Sequence, residues 1–132
     1  MSYIEQQKIT DGKFEKDFMS YLSSLGYWVT FLEGGNHTGS QACDCIACKD
    51  GKVWAIDCKT LNNKNGLFPL ERIEQNQVLA YKKFKKCGNE NFFLAILWNN
   101  NIYFIPMSDI LFEDKSIDLK KKIAMWRGFY AN

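Results

Sequence analysis

Two aspartates and a lysine are the residues through which this chain can do chemistry. Asp57 and Lys59 lie two residues apart in Val53 to Thr60, an apolar and β-branched run that reads as a strand. Alternate residues of a strand share a face, so Asp57 and Lys59 point together while Trp54, Ile56 and Cys58 face the opposite way into a core. Asp44 belongs to the preceding run, Cys43 to Cys48, and the intervening Lys49-Asp50-Gly51-Lys52 carries the Asp-Gly signal of a tight hairpin. That hairpin sets Asp44 nearly level with Asp57 on the neighbouring strand. Carboxylates this close repel each other unless a cation joins them, and an all-oxygen site with room for water suits Mg2+ or Mn2+. Such a cation polarises a phosphate and acidifies a water, while the nearby ammonium steadies charge on the phosphoryl oxygens. The chemistry is phosphodiester hydrolysis. Taken alone, Asp57 and Lys59 also fit a surface ion pair on a solvent-facing strand.

Two helices must position this group. After Asp11, a candidate N-cap, Phe14, Phe18, Tyr21, Leu22 and Leu25 recur at helical spacing and Gly26 supplies the stop. Glu15 stands beside that apolar stripe, where it is either a third carboxylate at the edge of the sheet or an ordinary solvated acid. Tyr27 to Leu32 reads as a strand, and Glu33 to Ser40 as a polar loop. A second helix is expected to open at Phe68-Pro69-Leu70, with proline in its first turn, and to run to Lys86. Its inner stripe is Leu70, Ile73, Gln77, Ala80, Tyr81 and Phe84. Gln77 takes a place where an apolar residue is expected, so its amide needs a partner: a ligand, a water or a backbone group. Phe92 to Trp98 and Ile102 to Ile105 are two further strands, and the tail from Met107 mixes a short helix with the lysine run Lys120 to Lys122. The order α-β-β-β-α-β-β with a helical tail predicts an α/β domain, a mixed sheet with helices packed on it.

Composition sets the boundaries of this reading. The 132 residues are 46% apolar, with 17 Lys+Arg against 15 Asp+Glu, which fits a single domain over 1–132 with an ordinary core. A net charge of +2 is too small to announce nucleic-acid binding by itself, so any such argument rests on where the charges sit. No apolar run approaches the ~18 residues that span a bilayer, and the polar start lacks the pattern of an export signal, so a cytoplasmic protein without membrane attachment is expected. The five cysteines then read as reduced thiols. Cys43, Cys45 and Cys48 fit an alternating strand better than the paired spacing of structural zinc.

Together, Asp44 and Asp57-Cys58-Lys59, preceded by a helix containing Glu15, resemble the PD-(D/E)xK nuclease core. With Phe14-Glu15-Lys16-Asp17, Gly26, Asn62 to Lys64, Phe68-Pro69-Leu70 and Gln77, residues 12 to 80 are similar to RecU-type Holliday-junction resolvases, including phage-borne relatives. The resemblance implies a restriction-endonuclease-like sheet and a homodimeric, Mg2+-dependent endonuclease that nicks two like strands of a four-way junction. It assigns metal binding to Asp44 and Asp57, assistance to the attacking water to Lys59, completion of the metal shell to Glu15 and support of the site to Gln77. Two departures stand out. Asp57 replaces the usual Glu, and Glu33 to Ala42 is far shorter than the RecU stalk insertion that enters the junction. The short loop keeps a restriction-like or repair nuclease acting on duplex, flap or single-stranded ends in view, and beside it a DNA-binding module with an inactive acidic cluster. Candidate DNA contacts are Thr38 and Ser40 in the loop, Thr60, Lys64 and Arg72 near the site, and Lys82 with Lys83, Lys85 and Lys86 along the second helix. His37, the single histidine, is superfluous where carboxylates and Lys59 fill its roles.

Overall fold

A computed structural model of the chain describes residues 9–32, 43–110 and 113–130. Helix α1 (Asp11–Ser24) is followed by β1 (Trp28–Phe31), β2 (Cys45–Lys49), β3 (Lys52–Leu61), β4 (Leu67–Pro69), α2 (Gln75–Lys86), β5 (Phe92–Trp98), β6 (Asn101–Pro106) and β7 (Ser116–Asp118). Single 3-10 turns occupy Leu70–Arg72, Met107–Asp109 and Leu119–Lys121. The main sheet has the order β1-β2-β3-β5-β6, and β4 pairs with β7 in a separate two-stranded ribbon. In the main sheet β3 and β5 are parallel and the remaining pairs antiparallel. The expected mixed sheet with helices is therefore the observed architecture. Among the described residues no helix is long and apolar enough to cross a membrane.

Local chemistry explains most element borders. Thr10, not Asp11, caps α1: its Oγ1 accepts a hydrogen bond from the Lys13 amide at 3.1 Å. The β2–β3 hairpin turns through Asp50 and Gly51, with φ of 53° and 77°, as its Asp-Gly sequence requires. Asn99 and Asn100 take the same left-handed conformation between β5 and β6. The second helix starts later than expected. Pro69 ends β4, which pairs antiparallel with β7, and the chain makes one 3-10 turn before α2 begins at Gln75. Proline is tolerated at the end of a short ribbon, where its missing amide breaks no ladder. The tail after Met107 likewise forms 3-10 turns and β7 instead of the expected short helix.

The sheet buries both faces. On one side Phe14, Phe18, Met19 and Leu22 of α1 pack on Cys45, Ala47, Ile56, Cys58, Ala95, Leu97 and Ile102. The C-terminal segment joins this layer, with Trp126 and Phe129 set edge-on against Phe18 and Tyr21 and the Tyr130 hydroxyl donating to Asp17 Oδ2 at 2.7 Å. On the other side Phe68, Leu70, Ile73 and Tyr81 pack with Ala55, Leu61, Leu94 and Ile96. The predicted inner stripe of the second helix thus holds, although Leu70 and Ile73 precede the helix itself.

The turn between β3 and β4 has little tolerance. Gly66 sits at φ +70°, and a Cβ there would lie 2.9 Å from Trp98 Cη2, while the Trp98 indole donates to the Asn63 carbonyl at 2.8 Å. Gly66→Ala is expected to lower stability by about 2 kcal/mol or more, through left-handed strain and the displaced indole. Chemical denaturation measures this, and an unchanged midpoint contradicts it.

Candidate active site

Strand β3 carries the site. Asp57 pairs with Leu94 of β5 on one side and lies one residue past the last β2–β3 pair, Cys45–Ile56, on the other, and it is 1% exposed. Ile56 and Cys58 face α1, so Asp57 and Lys59 turn to the opposite face, as alternation along the strand predicts. The Lys59 ammonium approaches to 3.2 Å from Asp57 Oδ2. That separation attracts, but the geometry is not that of a hydrogen bond, and Oδ2 is a buried oxygen accepting none. Asp44 occupies a bend just before β2, which starts at Cys45 and not at Cys43 as expected. Its amide donates to the Ile56 carbonyl at 3.0 Å, and its Oδ2 accepts from the Cys58 amide at 2.7 Å. These bonds fix Asp44 across β3 beside Asp57. The surface ion-pair reading fails, since both partners of the Asp57–Lys59 pair are largely shielded from solvent.

The electrostatics follow from this packing. Burial, and next the Asp44 carboxylate, push the Asp57 carboxyl well above the ordinary range, while Lys59 pulls it back in part. Glu15 rises to about 7, first from its own burial and then from the charge of Asp44. Glu15 is therefore in electrostatic reach of Asp44. Even so, among the described residues no three His, Cys, Asp or Glu side chains converge closely enough to hold a metal ion between them. The residues fit a hard divalent cation in a more modest way: two carboxylates from adjacent strands, one with an orphaned buried oxygen, and an excess of negative charge that a cation would relieve. Mg2+ is commonly held by one or two carboxylates and completed by water and phosphate. The buried thiols of Cys43, Cys45 and Cys58 are held protonated, because burial drives Cys43 up to about 12 and raises Cys45 and Cys58 well above their ordinary value.

Other predicted site residues have structural partners. Gln77 is buried, and its Oε1 accepts from the Glu74 amide at 3.0 Å, closing the capping box at the start of α2. Of the partners open to its amide, the backbone group is the one found. Thr60 and Arg72, expected at DNA, are tied into a network with Asp11. Asp11 Oδ1 accepts from the Thr60 amide at 2.8 Å and from its hydroxyl at 2.7 Å. Arg72 donates to the Thr60 carbonyl at 2.7 Å and to Asp11 Oδ2 at 3.3 Å, with its guanidinium over the Phe68 ring. The network joins the first turn of α1 to the end of β3, one helical turn before Glu15. Asp11 was missed as a site-building residue because its partners lie 49 and 61 positions away, and no local pattern links them. Lys64 is exposed on a turn held by Asn63, whose Oδ1 accepts from the Gly66 amide at 2.9 Å. Lys82, Lys83, Lys85 and Lys86 are exposed on α2. His37, Thr38 and Ser40 lie outside the described residues.

The architecture has a solved counterpart. The chain is similar to the Holliday junction resolvase Hjc of the archaeal hyperthermophile Archaeoglobus fulgidus, with a TM-score of 0.61 over 87% of this chain and 93% of that one at 19% identity. The fold is restriction-endonuclease-like. No family model and no curated protein matches the sequence. In the restriction-endonuclease-like frame, β3 and the start of β2 deliver Asp44, Asp57 and Lys59 to one place, and α1 brings Glu15 alongside.

The raised carboxyls make a pH prediction for the cation-free protein. A carboxyl whose folded pKa exceeds its unfolded value binds its proton more tightly when folded. Its contribution is complete below the ordinary carboxylate range and is lost as pH rises through the folded value. For Glu15 that window runs from its ordinary 4.5 to about 7, and Asp57 acts in the same sense. Asp17, held below its ordinary value by Tyr130 and Lys13, titrates at more acidic pH and leaves the window clear. Thermal unfolding in EDTA should show the midpoint falling across this window, with a shallower fall in Asp57→Asn. A flat profile in the unsubstituted protein contradicts the arrangement.

Proposed function

We propose that the protein is a metal-dependent endonuclease acting on branched DNA, of the Holliday-junction resolvase type. What carries the reading is the buried Asp57 carboxylate, with an unsatisfied oxygen, set beside Asp44 and Lys59 on a fold shared with an archaeal junction resolvase. A surface acid gains nothing from such burial, whereas a cation ligand gains rigidity and a dry setting in which charge acts strongly.

A divalent ion held by Asp44 and Asp57 would supply Lewis acidity toward the scissile phosphate. The chain's own residues do the rest. Asp44, braced by the Cys58 amide, keeps its second oxygen directed and its position fixed. Lys59 places an ammonium next to Asp57, where it can hold a water through a lone pair and steady the negative charge that grows on the phosphoryl oxygens. Glu15, whose proton comes off near neutrality, stands within electrostatic reach of Asp44 and can take a proton from the attacking water as its oxygen bonds to phosphorus. The bond from phosphorus to the leaving oxygen breaks, and that oxygen collects a proton from solvent. Gln77 serves the start of α2 and supports the site through the fold. Exposed Lys64 and the α2 lysines are the phosphate contacts in this reading, while Thr60 and Arg72 act by holding α1 on β3.

Paired cuts in a two-fold symmetric junction need two sites related by symmetry, so the working form is a homodimer. RecU-like and Hjc-like assignments share this logic. The test is incubation of labelled four-way junction, flap and linear duplex with the protein and Mg2+. Junction should be cut preferentially, and Asp57→Asn should reduce the rate by about a hundredfold or more, as loss of a metal ligand does. No metal-dependent cleavage of any substrate, or cleavage indifferent to Asp57→Asn, overturns the assignment.

A further inference from the structure

Between α1 and the end of β1 lies a cleft of about 430 Å3 lined by Gly12, Glu15, Lys16, Ser20 and Phe31. The volume falls within the range of about 300–1,000 Å3 usual for small-ligand clefts. Among the described residues Phe31 is its one large apolar side. Its strand partner Cys45 is fully buried, yet the Phe31 ring is 48% exposed. Every other described phenylalanine is engaged by another ring or, for Phe68, by the Arg72 guanidinium. Among the described residues no ring packs on Phe31. Opposite it the helix presents an open glycine, an exposed lysine and a serine. A Cβ on Gly12 would meet nothing within 4 Å.

Resting on the nuclease reading above, we propose that this cleft holds one unstacked nucleotide of the DNA strand next to the scissile phosphate, its base lying on the Phe31 ring and its phosphate near Lys16. One aromatic face flanked by the Lys16 ammonium and the Ser20 hydroxyl, with the Glu15 carboxyl at its inner edge, matches a nucleotide, whose base offers a π-face whatever its identity and whose phosphate seeks positive charge. A protein partner would bring a wider apolar face than one described aromatic ring supplies. A base inside a duplex already has both faces covered, so the cleft favours DNA whose stacking is interrupted, as it is at a branch point or a free end. Continuity with the site comes through Glu15, which lines the cleft and senses Asp44.

The test separates this inference from the nuclease reading by measuring binding without metal. A short single-stranded oligodeoxynucleotide carrying 2-aminopurine is titrated with the protein in EDTA. Stacking should quench its fluorescence. Phe31→Ala, at a half-exposed position the fold tolerates, should weaken binding about tenfold and abolish the quench. Phe31→Trp should restore both, and Gly12→Met, whose side chain enters the open space, should weaken binding as well. Binding and quench unchanged in Phe31→Ala overturn the inference even where the unsubstituted protein cuts junctions. An altered sedimentation coefficient in Phe31→Ala with unchanged DNA affinity overturns it too, in favour of a contact between copies of the chain. A Phe31-dependent quench in a protein that cuts no DNA with Mg2+ retains the nucleotide cleft and overturns the nuclease reading.

Discussion

A carboxylate buried in the middle of a sheet is the constraint on which this molecule turns. Asp57 has β5 on one side and the bend at Asp44 on the other, a 1% exposed side chain and an oxygen that accepts no hydrogen bond. Burying such a group carries a desolvation penalty that hydrophobic neighbours cannot offset. The fold answers in part with Lys59, two residues on along the same face, and then adds to the penalty by fixing Asp44 alongside. An arrangement of this kind is destabilising in an apo protein and becomes favourable when positive charge arrives. Local instability placed at one point of an otherwise dense core is the usual mark of a site kept for function.

The rest of the architecture keeps that point rigid. The parallel β3–β5 pair and the flanking antiparallel strands fix the direction of Asp57, and the bend before β2 is held from both sides of its peptide by Leu32 and Ile56. Asp11, Thr60 and Arg72 tie the start of α1 to the end of β3 with four polar contacts. Asp11 and Arg72 are part-exposed, so these contacts add little to global stability. Their effect is geometric: they set the register of α1 against the strand, and with it where Glu15 stands. Thr60 and Arg72, which read as DNA contacts in the sequence, are thus engaged within the fold.

How much of this was legible in the sequence divides along the range of the interactions. The Asp-Gly hairpin, the alternation that turns Asp57 and Lys59 away from Ile56 and Cys58, and the α1 stripe of Phe14, Phe18 and Leu22 are local patterns, and the structure has each of them. Strand alternation even placed Asp44 opposite Asp57, although the bend that starts β2 shortens the expected strand. The start of α2 was misjudged because Phe68-Pro69-Leu70 satisfies the rule for a helix N-terminus, while the pairing of β4 with β7, some fifty residues on, decides the matter. Gln77 shows the same limit from the other side. A polar residue on an apolar stripe signals a needed partner, but only the fold reveals that the partner is the Glu74 amide of its own helix.

Glu15 shows how placement on a helix differs from membership of a cluster. The sequence leaves it either at the edge of the sheet or solvated; α1 packs on the face of the sheet that Asp57 turns away from, and the glutamate senses the acidic pair through Asp44. Among the described residues it does not join the pair as a third ligand, but its ionisation responds to charge at Asp44. Its pKa is raised first by burial and then by the charge of Asp44, so positive charge beside Asp44 pulls it back down in part. Charge arriving at the pair and ionisation of Glu15 are therefore coupled through Asp44.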